Sequence, residues 1–206
     1  GTGRLALPLI RNQVDYYGLD TSQSLCDYAS KIISSYSNNQ QKIYLGDMRN
    51  FKLDTTFDVI FIAFNSFLHI IDDKDALKTF ESVKKHLDKG GKFILDILMP
   101  NPDFLFNREE LSPVMDFKDS ANGDLVEIYE KLEYDNATQI CDIYWEYTYK
   151  NKKDNSRVFP YKMRMYYPDT INRMLVDAGF NVIDVFGDYQ MGSFKESSAL
   201  QIYYAE

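Results

Sequence analysis

A chain of 206 residues with 45% hydrophobic and 15% aromatic side chains can bury the core of one α/β domain carrying an inserted segment, and is short for two independent domains. Its 31 acidic against 23 basic residues leave a net charge of -8 with no basic stripe, which argues against a nucleic-acid partner, and no apolar run approaches the roughly 20 residues of a membrane span. Without a signal-peptide pattern, Cys26 and Cys141 read as reduced thiols of a cytoplasmic protein, and with only His69 and His86 beside them no zinc site is expected.

The chain opens on Gly1-Thr2-Gly3-Arg4, followed directly by the helical Leu5 to Ile10. A glycine turn that opens a helix normally follows a strand, so an N-terminally truncated chain is the expectation. Val14 to Asp20 reads as a strand ending in an acid, and Thr21 or Ser22 caps a helix to about Ser35. The polar Ser37 to Gln40 is a loop, and Lys42 to Leu45 is a short strand closed by Gly46-Asp47-Met48-Arg49.

Two nearly unbroken apolar runs, Phe57 to Phe64 and Phe93 to Ile97, flank a helical segment. That is the pattern of a βαβ unit of a parallel sheet, whose strands are covered on both faces. Asp72 or Asp73 caps the intervening helix, Leu77, Phe80, Val83, Lys84 and Leu87 recur at three and four, and Lys89-Gly90-Gly91 ends it. Beyond residue 112 the character changes. Val126 to Tyr134, Ile140 to Tyr149 and Val158 to Tyr167 are long, aromatic and alternating, which predicts an antiparallel meander. The expected organisation is an α/β domain over 1–112 and 168–206, with an antiparallel insertion over 113–167 acting as a substrate wall, a lid or a homodimer contact. Pro168-Asp169 opens a helix through Ala178, and two strands, Asn181 to Phe186 and Ala199 to Ala205, close the chain.

In an open α/β sheet ligands sit beyond the carboxyl ends of the strands. The first apolar run ends there in Asn65 and Ser66, placed to contact a reacting group. Gly1 and Gly3 would let a backbone approach a ligand closely, and Asp20 ends the next strand 17 positions after Gly3. That is close to the roughly 20-residue offset at which an acid accepts from ribose hydroxyls. Asp47 follows the third strand by the same logic. Its carboxylate suits an exocyclic adenine amine and Met48 suits the ring. His69, just past the next strand, is a candidate base or acceptor contact. Tyr129, Trp145, Arg164 and Tyr166 are candidates for an acceptor pocket, although aromatic residues are also the ordinary filling of strands.

In order and spacing, Gly1-Thr2-Gly3-Arg4, Gly18-Leu19-Asp20-Thr21-Ser22, Gly46-Asp47-Met48-Arg49, Phe57-Asp58-Val59-Ile60-Phe61 and Leu87-Asp88-Lys89-Gly90-Gly91 resemble the motifs of class I S-adenosylmethionine-dependent methyltransferases, small-molecule branch. Ala178-Gly179-Phe180 and Val185-Phe186-Gly187-Asp188-Tyr189 fit the closing strands of that branch. The resemblance implies a Rossmann-like seven-stranded methyltransferase sheet, here without its first strand, with an antiparallel closing pair. It implies S-adenosylmethionine as cofactor, with Gly1 and Gly3 at its methionine part, Asp20 with Thr21 at the ribose, Asp47 and Met48 at the adenine, and Phe64 with Asn65 beside the sulfonium. The expected activity is methyl transfer to nitrogen or oxygen of a small molecule, an amine being favoured because it needs only to be neutral and aligned. A non-catalytic binding or dimerisation module of the same fold and a nucleotide-dependent oxidoreductase are the alternatives.

Overall fold

The computed structural model describes residues 1–36, 42–102, 105, 110–150 and 156–206. The loop expected over Ser37 to Gln40 lies outside the described residues. Helix α1 (Ala6–Arg11) precedes strand β1 (Gly18–Asp20), helix α2 (Gln23–Ser34) and strand β2 (Ile43–Leu45). Strand β3 (Phe57–Ile62), a 3-10 turn over Ser66–His69, helix α3 (Asp73–His86) and strand β4 (Leu87–Leu98) form the βαβ unit. Strands β5 (Ser112–Lys118), β6 (Leu125–Asp135), β7 (Ile140–Tyr149) and β8 (Arg157–Arg164) follow, then helix α4 (Pro168–Asp177) and strands β9 (Val182–Phe186) and β10 (Leu200–Ala205).

Local chemistry accounts for the helices. Ser22 and Asp72 cap α2 and α3 through their side chains, and Pro168 occupies the first turn of α4, where its missing N–H costs nothing. Helix α3 buries Ala76, Thr79, Phe80 and Val83, one stripe at helical spacing, against β4. It ends at His86, earlier than the glycine pair implied. Gly90 and Gly91 instead sit inside β4, where the pairing with β3 shifts from Phe57↔Leu87 to Val59↔Lys92. Gly90 has φ +82°, and a Cβ on Gly91 would stand 2.9 Å from the Phe57 carbonyl oxygen, so the bulge needs both glycines.

The sheets differ from the expected single seven-stranded one. Among the described residues, β1 and β2 pair parallel as a two-stranded sheet, and a second sheet has the order β3-β4-β10-β9. In that second sheet β3 and β4 are parallel, while β10 runs antiparallel to both of its neighbours, as the closing pair implied. Strand β3 is therefore an edge rather than a strand covered on both faces, and Val59 is 50% exposed. Side chains join the two sheets: the Tyr16 and Tyr17 rings meet Phe61 and Phe57 at 6.5 and 4.9 Å.

The third sheet is the meander β5-β6-β7-β8, one strand longer than the aromatic pattern suggested, because β5 is exposed along nearly its whole length and shows no alternation of burial. Its β6–β8 end is continuous with the core of the α/β body. Leu132, Cys141, Ile143 and Met163 belong to one buried cluster with Phe67, Phe80, Phe93 and Leu95. The meander is thus anchored by hydrophobic burial.

Candidate active site

A cavity of about 810 Å³ runs alongside β3 from Phe57 to Ile62, between it and β1, and reaches the carboxyl ends of β1 and β3 and the loop after β2. Gly1, Gly3, Asp20, Thr21, Asp47, Met48, Phe64 and His69 all border it, so eight sequence candidates meet at one place. At Gly3, φ is +78° and a Cβ would lie 3.2 Å from the Ala29 Cβ on α2, so a side chain there would strain the turn and crowd the helix.

Asp20 ends β1 with its carboxylate at the cavity. Oδ1 accepts from the Ser22 N–H at 2.8 Å and Oδ2 from the terminal amine of Gly1. Burial pushes the Asp20 pKa up, but these bonds and a weaker one from Thr21 outweigh it, and the group titrates below the ordinary carboxylate range. It is an anionic hydrogen-bond acceptor at neutral pH.

Asp47 is differently placed from its expected role. Its Oδ1 accepts from the backbone N–H and Nε of Arg49, both at 2.9 Å, and its Oδ2 from Nε at 3.0 Å and Nη2 at 2.5 Å. Those contacts fill the lone pairs that an adenine amine would use. Arg49 Nη1 reaches on to Asp75 Oδ2 at 2.6 Å, tying the β2 loop to the first turn of α3. Hydrogen bonding from Arg49 holds Asp47 below the usual carboxylate range against the opposing effect of burial. Met48, packed on the core at the cavity wall, keeps the position expected of a ring contact.

Phe64 is 52% exposed at the end of β3, and the Arg4 guanidinium lies over its ring at 4.1 Å. Asn65 does not border the cavity. Its Oδ1 accepts from the Leu98 N–H at 2.7 Å, so the side chain closes the strand end onto β4. His69 is exposed, and its Nδ1 lies 3.3 Å from the Lys162 carbonyl oxygen on β8. A carbonyl only accepts, so Nδ1 is the donor in this contact, and in the neutral ring Nε2 is then the accepting nitrogen. His86 is structural: Nδ1 donates to the Ser82 oxygen at 2.7 Å and Nε2 accepts from the Leu53 N–H at 3.2 Å.

The four acceptor-pocket candidates do not come together. Tyr129 pairs with Glu146 and lies on the opposite face of the meander from Trp145, which pairs with Glu130. Tyr166 is wholly buried, its hydroxyl donating to the Ile70 oxygen at 2.5 Å. Arg164 is held by Asp73 and the Ile71 carbonyl, with its guanidinium over Tyr166, and fastens β8 to α3. Trp145 does not border the cavity either and packs against the core. Its Nε1 donates to the buried Glu130 at 2.7 Å, and its ring meets Tyr161, which in turn lies 5.8 Å from His69. Burial and the nearby Glu130 push the Tyr161 phenol up to about 12, so it remains a neutral hydroxyl.

Sequence reading missed Arg49, Tyr161 and Asp96. Asp96 lies two residues before the end of β4 at Leu98, inside an apolar run, so the strand-end rule that found Asp20 does not single it out. Among the described residues no cluster of three or more His, Cys, Asp or Glu could hold a metal ion, and no helix is long and apolar enough to cross a membrane.

Residues 1–91 match a family model described as a methyltransferase domain. Over 199 residues the chain is 22% identical to the putative methyltransferase YqeM of Bacillus subtilis (strain 168), covering 92% of this chain and 74% of that protein. The CcbJ methyltransferase from Streptomyces caelestis superposes with a TM-score of 0.87 at 22% identity, over 100% of this chain and 80% of that one. The sugar N-methyltransferase KedS8 from Streptoalloteichus sp ATCC 53650 does so with a TM-score of 0.76 at 16% identity, over 98% and 76%.

Proposed function

We propose that this chain, an S-adenosylmethionine-dependent methyltransferase by its domain and its fold, methylates a nitrogen of a small-molecule amine. The observation that carries the reading is the convergence on one cavity of a glycine turn, the anionic Asp20, Met48, Phe64 and a histidine with an accepting Nε2.

The cavity residues fit the cofactor. Gly3 keeps the turn open where a backbone must come close, and Asp20 has the charge and lone pairs to accept from ribose hydroxyls. Met48 offers an apolar wall for the adenine, while Asp47, held by Arg49, shapes the loop around it rather than bonding to the ring. When bound, the cofactor supplies a methyl group already activated on a sulfonium, so the protein has mainly to align an acceptor and exclude water.

The meander supports the acceptor side as a substrate wall. Trp145 and Tyr161 extend from His69 as a run of aromatic rings, which suits stacking against a sugar or other flat acceptor. Attack on the sulfonium methyl needs the amine's free lone pair, so an amine that arrives as an ammonium must first give up one proton. The His69 Nε2 at the cavity rim can hold that proton. The net charge of -8 favours the approach of a cationic amine and repels phosphate backbones. KedS8, named for sugar N-methylation, lends the nitrogen reading further support.

The test is calorimetric titration of S-adenosylhomocysteine, followed by transfer of labelled methyl groups to paired amino sugars, simple amines and their hydroxyl counterparts. Micromolar binding is expected. Asp20→Ala should weaken it about tenfold to a hundredfold, the scale of hydrogen bonds to a charged acceptor. Transfer to hydroxyls alone would overturn the amine reading, and no binding at all would leave the non-catalytic module.

A further inference from the structure

Phe64 and Asn65 are consecutive non-glycine residues with φ of +54° and +60°. Each costs about 1 kcal/mol or more and persists only where neighbours enforce it. The enforcing group is Asp96, only 5% exposed and two residues before the end of β4. Its Oδ2 accepts from the Phe64 N–H at 3.2 Å, and its main-chain carbonyl from the Asn65 N–H at 3.3 Å. The exit of β3 is therefore set by β4.

The same Oδ2 accepts a second bond, from the Tyr189 hydroxyl at 3.0 Å. Tyr189 is 60% exposed on the segment that follows β9. That segment is internally closed: Asp188 Oδ1 accepts from the Gln190 and Gly192 N–H groups at 2.8 and 3.0 Å, and the Gly187 N–H donates to the Gly192 oxygen at 2.8 Å. It is a closed turn, joined to the sheet at its base by the Phe186–Ser193 bridge and the Leu200 N–H on the Gly187 oxygen, and held at Tyr189 by Asp96.

We propose that Asp96 is a positioning residue for methyl transfer, fixing through one carboxylate both the left-handed exit of β3 at Phe64 and the 187–192 turn. Asp96 does not itself border the cavity; Phe64 does, with Arg4 stacked on its ring. Asp96 acts through the Phe64 amide, and the Tyr189 hydroxyl restrains the oxygen that holds this amide. The inference rests on the methyltransferase reading, under which the Phe64 end of the cavity is the methyl end.

The test uses the full chain with Tyr189→Phe, Asp96→Asn and Asp96→Ala, with amide exchange read residue by residue by NMR. Tyr189→Phe removes only one hydroxyl, from a residue whose surface is mostly exposed. It should nevertheless speed exchange severalfold at the Phe64 amide, 125 positions away in sequence. Asp96→Ala should speed it more, and Asp96→Asn, whose carboxamide oxygen still accepts, should fall between. With an acceptor from the amine panel, Tyr189→Phe and Asp96→Asn should lower kcat, toward about a hundredfold for a displacement of about 1 Å, with the cofactor KM unchanged. Unchanged Phe64 exchange in Tyr189→Phe overturns the proposal, as does a folded Asp96 variant with wild-type kcat. If Asp96→Ala does not fold, the other two variants decide. Failure of the wild-type chain to bind S-adenosylhomocysteine sinks the functional reading separately, and the exchange response still decides whether Asp96 links the two segments.

Discussion

Arg49 holds the loop after β2 at the cavity through charge rather than packing. It neutralises two carboxylates that would otherwise repel each other, Asp47 on its own loop and Asp75 on α3. Arg49 is 42% exposed on its side chain, so solvent screening limits the clamp to about 1 kcal/mol. Arg49→Gln should lower the melting temperature by about 2–4 °C near neutral pH. Both carboxyls titrate below their ordinary values when folded, Asp47 through Arg49 and Asp75 through Lys78 and Arg49. Their contribution is full above the unfolded carboxylate range and is lost as pH falls through the lowered folded values. The gap between wild type and Arg49→Gln should thus be constant at pH 6–8 and close below about pH 4. A gap that widens in acid would refute the clamp, and paired thermal melts across pH measure it.

Helix caps separate α2 from α3. Asp72 accepts from the Lys74 and Asp75 N–H groups at 2.9 and 3.3 Å, satisfying two of the free donors at the start of α3. Ser22 makes one longer bond, 3.4 Å to the Leu25 N–H. Asp72→Ala should therefore cost about 1 kcal/mol and Ser22→Ala clearly less, an order that denaturant titration of the two variants would reverse if cap geometry were not what governs them. Each cap was legible to within a pair of neighbours, Thr21 or Ser22 and Asp72 or Asp73, of which the structure uses Ser22 and Asp72. The bulge at Gly90 and Gly91 was not, because a glycine pair after a helix satisfies the same local rule whether it ends the helix or bends the next strand. Only the pairing partner, β3, distinguishes the two.

Across the molecule, the meander and the α/β body share one buried cluster, so they should unfold together. Leu132 is wholly buried on β6, among the residues that join the two. Leu132→Ala should remove about 2–5 kcal/mol and move a single calorimetric transition as a whole. Two separate transitions, with only one displaced, would show instead that the antiparallel sheet folds by itself.

The amino-acid order alone carried whatever rests on near neighbours in the chain: the caps, the helical stripes, the βαβ alternation and the strand-end acids Asp20 and Asp47. From those came eight residues that border the cavity, while S-adenosylmethionine as the cofactor came from the resemblance of the ordered motifs to a methyltransferase family. Tertiary structure decided everything that depends on register and on partners far along the chain. It turned Tyr129 away from Trp145, buried Tyr166, gave Arg164 to Asp73, occupied the Asp47 carboxylate with Arg49 and hung Phe64 and Tyr189 on Asp96. A side chain's local type sets the bonds it is able to make. Which of them it makes depends on what the packed core brings within about 3 Å, and for these residues the partner came from another element.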